Sequence, residues 1–121
     1  MTLAYYVLAG LLAVFYLYSG GIKIVRPIDQ LRPMMAWVDT LPRALVRGIG
    51  VLEVLAAVGL VVPPLTGIAT GLAFAAALGL VVLQVAAASL HLSRGEVKVI
   101  WLNLVLLVLA GITAWLATVW L

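Results

Sequence analysis

The stretch RGIGVLEVLAAVGLVVPP, residues 47–64, decides how the rest of the chain is read. It is an apolar run with one carboxylate, Glu53, about 9 Å along a helix from Arg47 at ~1.5 Å per residue. Its length suits a helix that crosses ~30 Å of hydrocarbon. A bare carboxylate in such a run is costly, so Glu53 needs a cationic partner, a proton or water. The other polar residues of the chain are therefore candidates to meet it.

Working outward, the composition agrees with a membrane setting. Of 121 residues, 67% are hydrophobic and only 9% are charged, and mean hydropathy is +1.32. A soluble domain of this size keeps too much surface exposed to hide that apolar content. The length suits a single transmembrane domain, residues 1–121. The chain has no cysteine. This excludes a disulfide framework, a thiol nucleophile and thiolate-bound metal centres. The net charge of +3 does not point to nucleic acid. The basic residues sit at the ends of apolar runs, not along one interleaved face.

Four apolar segments are expected to span: residues 2–22, 44–62, 68–90 and 99–121. No Lys or Arg precedes the first, and no small-x-small cleavage site is evident, so it is expected to be a mature span. Tyr5, Tyr6, Tyr16 and Tyr18 read as interfacial anchors, and Ser19-Gly20-Gly21 as the end of the first span. Pro63-Pro64 should end the second. The short turn PPLTG then sends the third back antiparallel. Gly67, Gly71, Ala75 and Gly79 form a small-xxx-small ridge suited to helix contact.

Residues 24–43 differ from the rest. They hold Pro27, Pro33, Pro42 and both aspartates. Ile28, Leu31, Met34, Met35 and Val38 recur at helical spacing. That pattern predicts a short amphipathic helix on the membrane surface, with Trp37 in the interface. The alternative is a Pro-rich loop with a few buried apolar residues. The predicted fold is all-α: an integral membrane antiparallel four-helix bundle with a short surface helix between spans one and two. All seven Lys and Arg residues fall in the first and third loops or at their edges. The positive-inside rule places loops 23–47 and 91–98 in the cytoplasm and both termini outside, across the inner membrane.

Counting inward from the basic end, every span offers a polar group to that half of the membrane. Ser19 and Lys23 lie on the first, Glu53 on the second, Gln84 and His91 on the third, and Asn103 on the fourth. These six form the candidate ligand-binding pocket. Structural hydrogen bonding between helices is the plainer role for Glu53, and a helix-end position near the dipole is the plainer role for His91. The sharper roles are proton handling by Glu53 and His91, or pairing of Lys23 or Arg47 with Glu53. Trp37, Arg47, Arg94 and Lys98 are the expected lipid and interface contacts, and Glu96 should pair with Arg94 or Lys98. One His among so few acids is too small a ligand set for zinc, so no metal is expected. No nucleophile triad or phosphate-cradling loop occurs, and no catalytic residue is assigned.

Three blocks carry a resemblance over essentially the whole chain: G-x-x-K at Gly20–Lys23, G-x-x-E-V-L-A-A-V-G-L-V-V-P at Gly50–Pro63, and H-L-S-R-G-E at His91–Glu96 followed by Asn103. They resemble the DoxX-like family of small bacterial four-helix membrane proteins. The resemblance implies four spans. It also implies a place beside quinone-linked oxidoreductases, or an accessory, redox-stress or assembly role. Related families that use paired cysteines do chemistry that this chain, without cysteine, lacks.

Three functions follow as expectations. The first is a small inner-membrane accessory or structural subunit, not catalytic on its own, that offers helix faces to other membrane subunits or to itself. It would be part of a quinone-linked redox or envelope complex. The second is a quinone- or small-ligand-binding oxidoreductase component using Glu53 and His91, with quinone the implied cofactor. The third is an oligomeric transporter or channel gated at Glu53. On the first, Glu53 is a neutral acid, and Glu53→Gln should leave folding intact.

Overall fold

A computed structural model describes residues 2–33, 35, 38 and 41–121, the side chain of Val99 excepted. The elements run α1 (Thr2–Val25), α2 (Ile28–Leu31), α3 (Arg43–Thr66), α4 (Leu72–Ser93) and α5 (Ile100–Leu116). A 3-10 turn, Val97–Val99, leads into α5, and another, Ala117–Trp120, continues it. Four of these are long and apolar enough to cross a membrane: Thr2–Val25, Arg43–Thr66, Leu72–Ser93 and Ile100–Trp120. Packing is heaviest between α1 and α3 and between α4 and α5, with α3 against α4 and α1 against α5 closing the ring. Short connections make α3 antiparallel to α4 and α4 antiparallel to α5.

Inside the ring, small residues alternate with a few large ones such as Tyr5, Leu12, Tyr16 and Leu60. Ala9, Ala57, Ala73, Ala77, Ala110 and Ala117 are buried, while Leu3, Val14, Leu55, Val82 and Val108 face outward. In lipid no hydrophobic force drives helices together, so close backbone approach and packing do the work. The ridge expected at Gly67, Gly71, Ala75 and Gly79 is not where α4 packs. Gly67 caps α3 in the left-handed conformation, at φ 72°. A side chain at Gly79 would meet nothing within 4 Å. The buried stripe is Ala73, Ala77, Leu80 and Gln84 instead.

Two helices run further than their sequences suggested. α1 passes through Gly20-Gly21 to Val25. In hydrocarbon an unwound backbone has no water to bond, so the helix continues despite two glycines. α3 passes through Pro63 and Pro64 to Thr66. A proline inside a helix leaves the carbonyl four residues back without its N–H. For Pro64 that carbonyl is Leu60 O, and the Tyr5 hydroxyl donates to it at 2.5 Å. Tyr5 is fully buried, so it is an internal hydrogen-bond donor, not an interfacial anchor. Tyr16 is likewise fully buried. Tyr18 is exposed, as an anchor would be.

Tyr5→Phe should therefore destabilise the bundle by about 1–3 kcal/mol, the cost of stranding a buried carbonyl. Pro64→Ala in the same chain should recover much of that loss, because the alanine restores a backbone N–H for Leu60 O. Denaturation in mixed detergent, followed by helicity, measures both. Equal stability of Tyr5→Phe and the parent chain would discount the bond.

Among the described residues, the expected surface helix is one α-helical turn, Ile28–Leu31, with Val38 in a 3-10 turn. Pro33 has no N–H to give the carbonyl of Asp29, which stops regular helix there. Five described apolar residues of the segment turn toward the protein. Leu31 and Val38 are buried with Ile22 and Val46, and Ile28, Met35 and Leu41 pack against them. The segment thus covers the ends of α1 and α3. Met34 and Trp37, and with Trp37 the expected interfacial anchor, lie outside the described residues.

Candidate functional site

The site begins where α1 crosses α3. A Cβ built on Gly20 would lie 2.6 Å from Gly50 O, and one built on Gly50 would lie 2.7 Å from Gly20 O. The two glycines let the backbones touch. Ser19 and Lys23, one turn apart on α1, are thereby brought onto Glu53. Lys23 Nζ lies 2.6 Å from Glu53 Oε1. Ser19 Oγ donates to Glu53 Oε2 at 2.9 Å and accepts from Lys23 Nζ at 2.6 Å. Lys23 is 5% exposed and Glu53 3%.

This is the Lys23–Glu53 pairing the sequence offered as a sharper role, and the acid partner compensates the charge that Lys23 takes into a buried position. Arg47, expected as a lipid contact, donates from Nη1 to the carbonyl of Lys23. It serves an unpaired carbonyl in the last turn of α1.

The two amides of the polar set bond to each other and to α1. Asn103 Nδ2 on α5 donates to Gln84 Oε1 on α4 at 2.9 Å. Gln84 Nε2 donates to the Tyr16 hydroxyl on α1 at 2.5 Å. This chain ties three helices together across the bundle. Tyr16 is the site residue the sequence did not single out. Its spacing held the signal: Tyr16, Ser19 and Lys23 stand at i, i+3 and i+7 on one face of α1.

At the end of α4, His91 Nδ1 lies 3.1 Å from Glu96 Oε1, and Arg94 Nε donates to the same oxygen at 2.8 Å. A carboxylate only accepts, so Nδ1 carries the proton in this contact. Desolvation pushes the Glu96 carboxyl upward. The hydrogen bonds from His91 and Arg94 and their charge outweigh it, and the group sits below the ordinary range for glutamate. Glu96 thus stays a carboxylate at neutral pH. His91 is partnered with Glu96, not with Glu53 as the shuttle would have it. Lys98 is exposed in the following turn.

These groups surround one cavity of about 740 Å³ at the basic end of the bundle. Ser19, Lys23, Glu53, Gln84, His91 and Asn103 all line it. Phe15, Ile49, Leu83, Leu90 and Leu106 supply apolar wall, and Pro33, Met35 and Leu41 reach it from the covering segment. The volume falls within the ~300–1,000 Å³ of small-molecule sites, as does the plan of apolar walls with a few convergent polar groups. In the opposite half, hydroxyls bond to backbone carbonyls, Tyr5 to Leu60 O and Thr70 to Trp120 O at long range. Thr66, Thr113 and Thr118 each donate to a carbonyl three or four residues back.

A ring of four membrane-crossing helices with one amphipathic cavity at its basic end defines a small polytopic membrane protein. The model of the DoxX-like family matches residues 7–113, and the chain belongs to that family. No curated protein and no solved structure matches it.

Proposed function

We propose that this protein holds the polar head of a small lipid-soluble molecule in the cavity, with a quinone as the ligand class. It would do so as an accessory subunit of a redox complex in the inner membrane. The observation that supports this best is convergence. Polar side chains from all four long helices line one cavity of ligand size, although each is costly to keep at membrane depth. A quinone head is a flat apolar ring with two carbonyl acceptors. The cavity offers apolar walls and amide N–H donors on Asn103 and Gln84. Asn103 Nδ2 gives one hydrogen to Gln84 and carries a second.

The basic end then faces the cytoplasm by the positive-inside rule, with both termini outside. Holding a ligand is distinct from turning it over, and no residue is assigned a catalytic role. Lys23, Ser19 and Glu53 are held by one another through an ion pair and two hydrogen bonds, which suits a rigid wall. A transport role draws no support from the far half, where the threonines named above bond to backbone.

Protein purified from native membranes in mild detergent should carry quinone well above its share of the extracted lipid. Asn103→Leu should lose most of it with helicity unchanged. Equal quinone content in both preparations, at the level of bulk lipid, would set the proposal aside.

A further inference from the structure

The cavity does not end at its polar groups. A second concavity, of about 530 Å³, runs along the outer face between α3 and α4. Leu83 and Ala86 line both. The two spaces therefore share a wall, and the groove leads away from the polar end. It extends on α4 from Ala86 back to Leu72, about 21 Å at ~1.5 Å per residue. Its depth comes from missing side chains. Gly59 and Ala76 nearly touch at its floor, where a Cβ on Gly59 would lie 3.2 Å from Ala76 Cβ. Ala75 and Gly79 leave its α4 side open.

From this adjacency we infer that the ligand is a single long-tailed amphiphile, its head in the cavity and its aliphatic tail laid over the shared wall of Leu83 and Ala86 into the α3–α4 groove. It would enter sideways from the lipid. The inference rests on the head-binding function proposed above and adds the tail and its path. A compact, water-soluble ligand would need the cavity alone. One molecule with a polar head and an extended apolar chain fills both spaces without breaking its contact with either. Apolar tails gain little from leaving lipid for protein, so the groove selects through packing.

The test uses the full chain in lipid nanodiscs and two probes, a benzoquinone with a decyl tail and the same ring without it. Ala75→Phe combined with Gly79→Leu fills the groove. Ala75 is exposed and an added Cβ at Gly79 meets nothing within 4 Å, so the fold tolerates both. This variant should bind the tailed probe about tenfold more weakly, a loss of about 1.4 kcal/mol, and the tail-less probe as the parent does. Asn103→Leu should weaken both probes. If groove filling leaves the tailed probe's affinity unchanged while Asn103→Leu weakens both, the head site stands and the tail path is overturned. If groove filling instead separates a dimer, a second copy occupies the groove and the inference is equally overturned. If neither probe binds the parent chain, the head site itself falls.

Discussion

Glu53→Gln is expected to lower the stability of the bundle by about 3–5 kcal/mol, the usual cost of leaving one member of a buried ion pair without the other. The amide keeps the shape of the acid but not its charge. Lys23, 5% exposed, then loses its carboxylate and keeps the Ser19 hydroxyl and carbonyl, which are neutral acceptors. Lys23→Met should cost a similar amount, since it takes the cation from a carboxylate that retains the Ser19 hydroxyl as donor. The double variant should be far less damaged than the sum of the two, because a neutral pair removes both desolvation costs together. The coupling is read from the four chains by detergent denaturation. Additive effects, or single losses below about 1 kcal/mol, would falsify the pairing as a structural element. The outcome also separates the pair from the plainer neutral-acid reading of the sequence, for which Glu53→Gln is harmless.

That contrast shows what the sequence could carry. Four spans were legible because hydrocarbon imposes a minimum length and excludes charge. The polar set was legible because each intramembrane polar residue is exceptional. Depth along a helix axis follows from counting, so Ser19, Glu53, Gln84 and Asn103 were all expected in one half of the membrane, and all four line the cavity.

Partner choice was only partly legible: pairing of Lys23 with Glu53 was one of several readings the sequence left open. It depends on the rotation of each helix about its axis and on how closely two backbones approach. Counting placed Gln84 level with Glu53. Rotation gave Gln84 to Tyr16 and Asn103 instead. Lys23 lay near enough to the boundary to read as a topology signal, and only the contact at Gly20 and Gly50 carries it onto the acid. The prolines misled for a related reason. Pro63-Pro64 marks a helix end unless another helix supplies the missing donor, and the donor, Tyr5, is 55 residues away in sequence.

The same backbone contact yields the second large expected effect. Gly50→Ala places a methyl group 2.7 Å from Gly20 O and 2.8 Å from Lys23 Cβ. The oxygen belongs to a helical backbone, so the methyl group is relieved only by moving one helix off the other. Overpacking of this kind costs about 1–3 kcal/mol. Here it should also draw Lys23 away from Glu53, so the loss should exceed that range. Gly48→Ala is the matched control. It lies on the same helix, where an added Cβ meets nothing within 4 Å, and replacing a helical glycine there should gain up to ~1 kcal/mol. The two substitutions make the same chemical change two residues apart and should move the detergent midpoint in opposite directions. A further comparison ties the contact to the ion pair. If Gly50→Ala opens the pair, then Glu53→Gln made in that background should cost much less than its about 3–5 kcal/mol in the parent chain. Should Glu53→Gln cost the same in both backgrounds, the glycine contact and the ion pair are independent, and the close crossing is not what brings Lys23 to the acid.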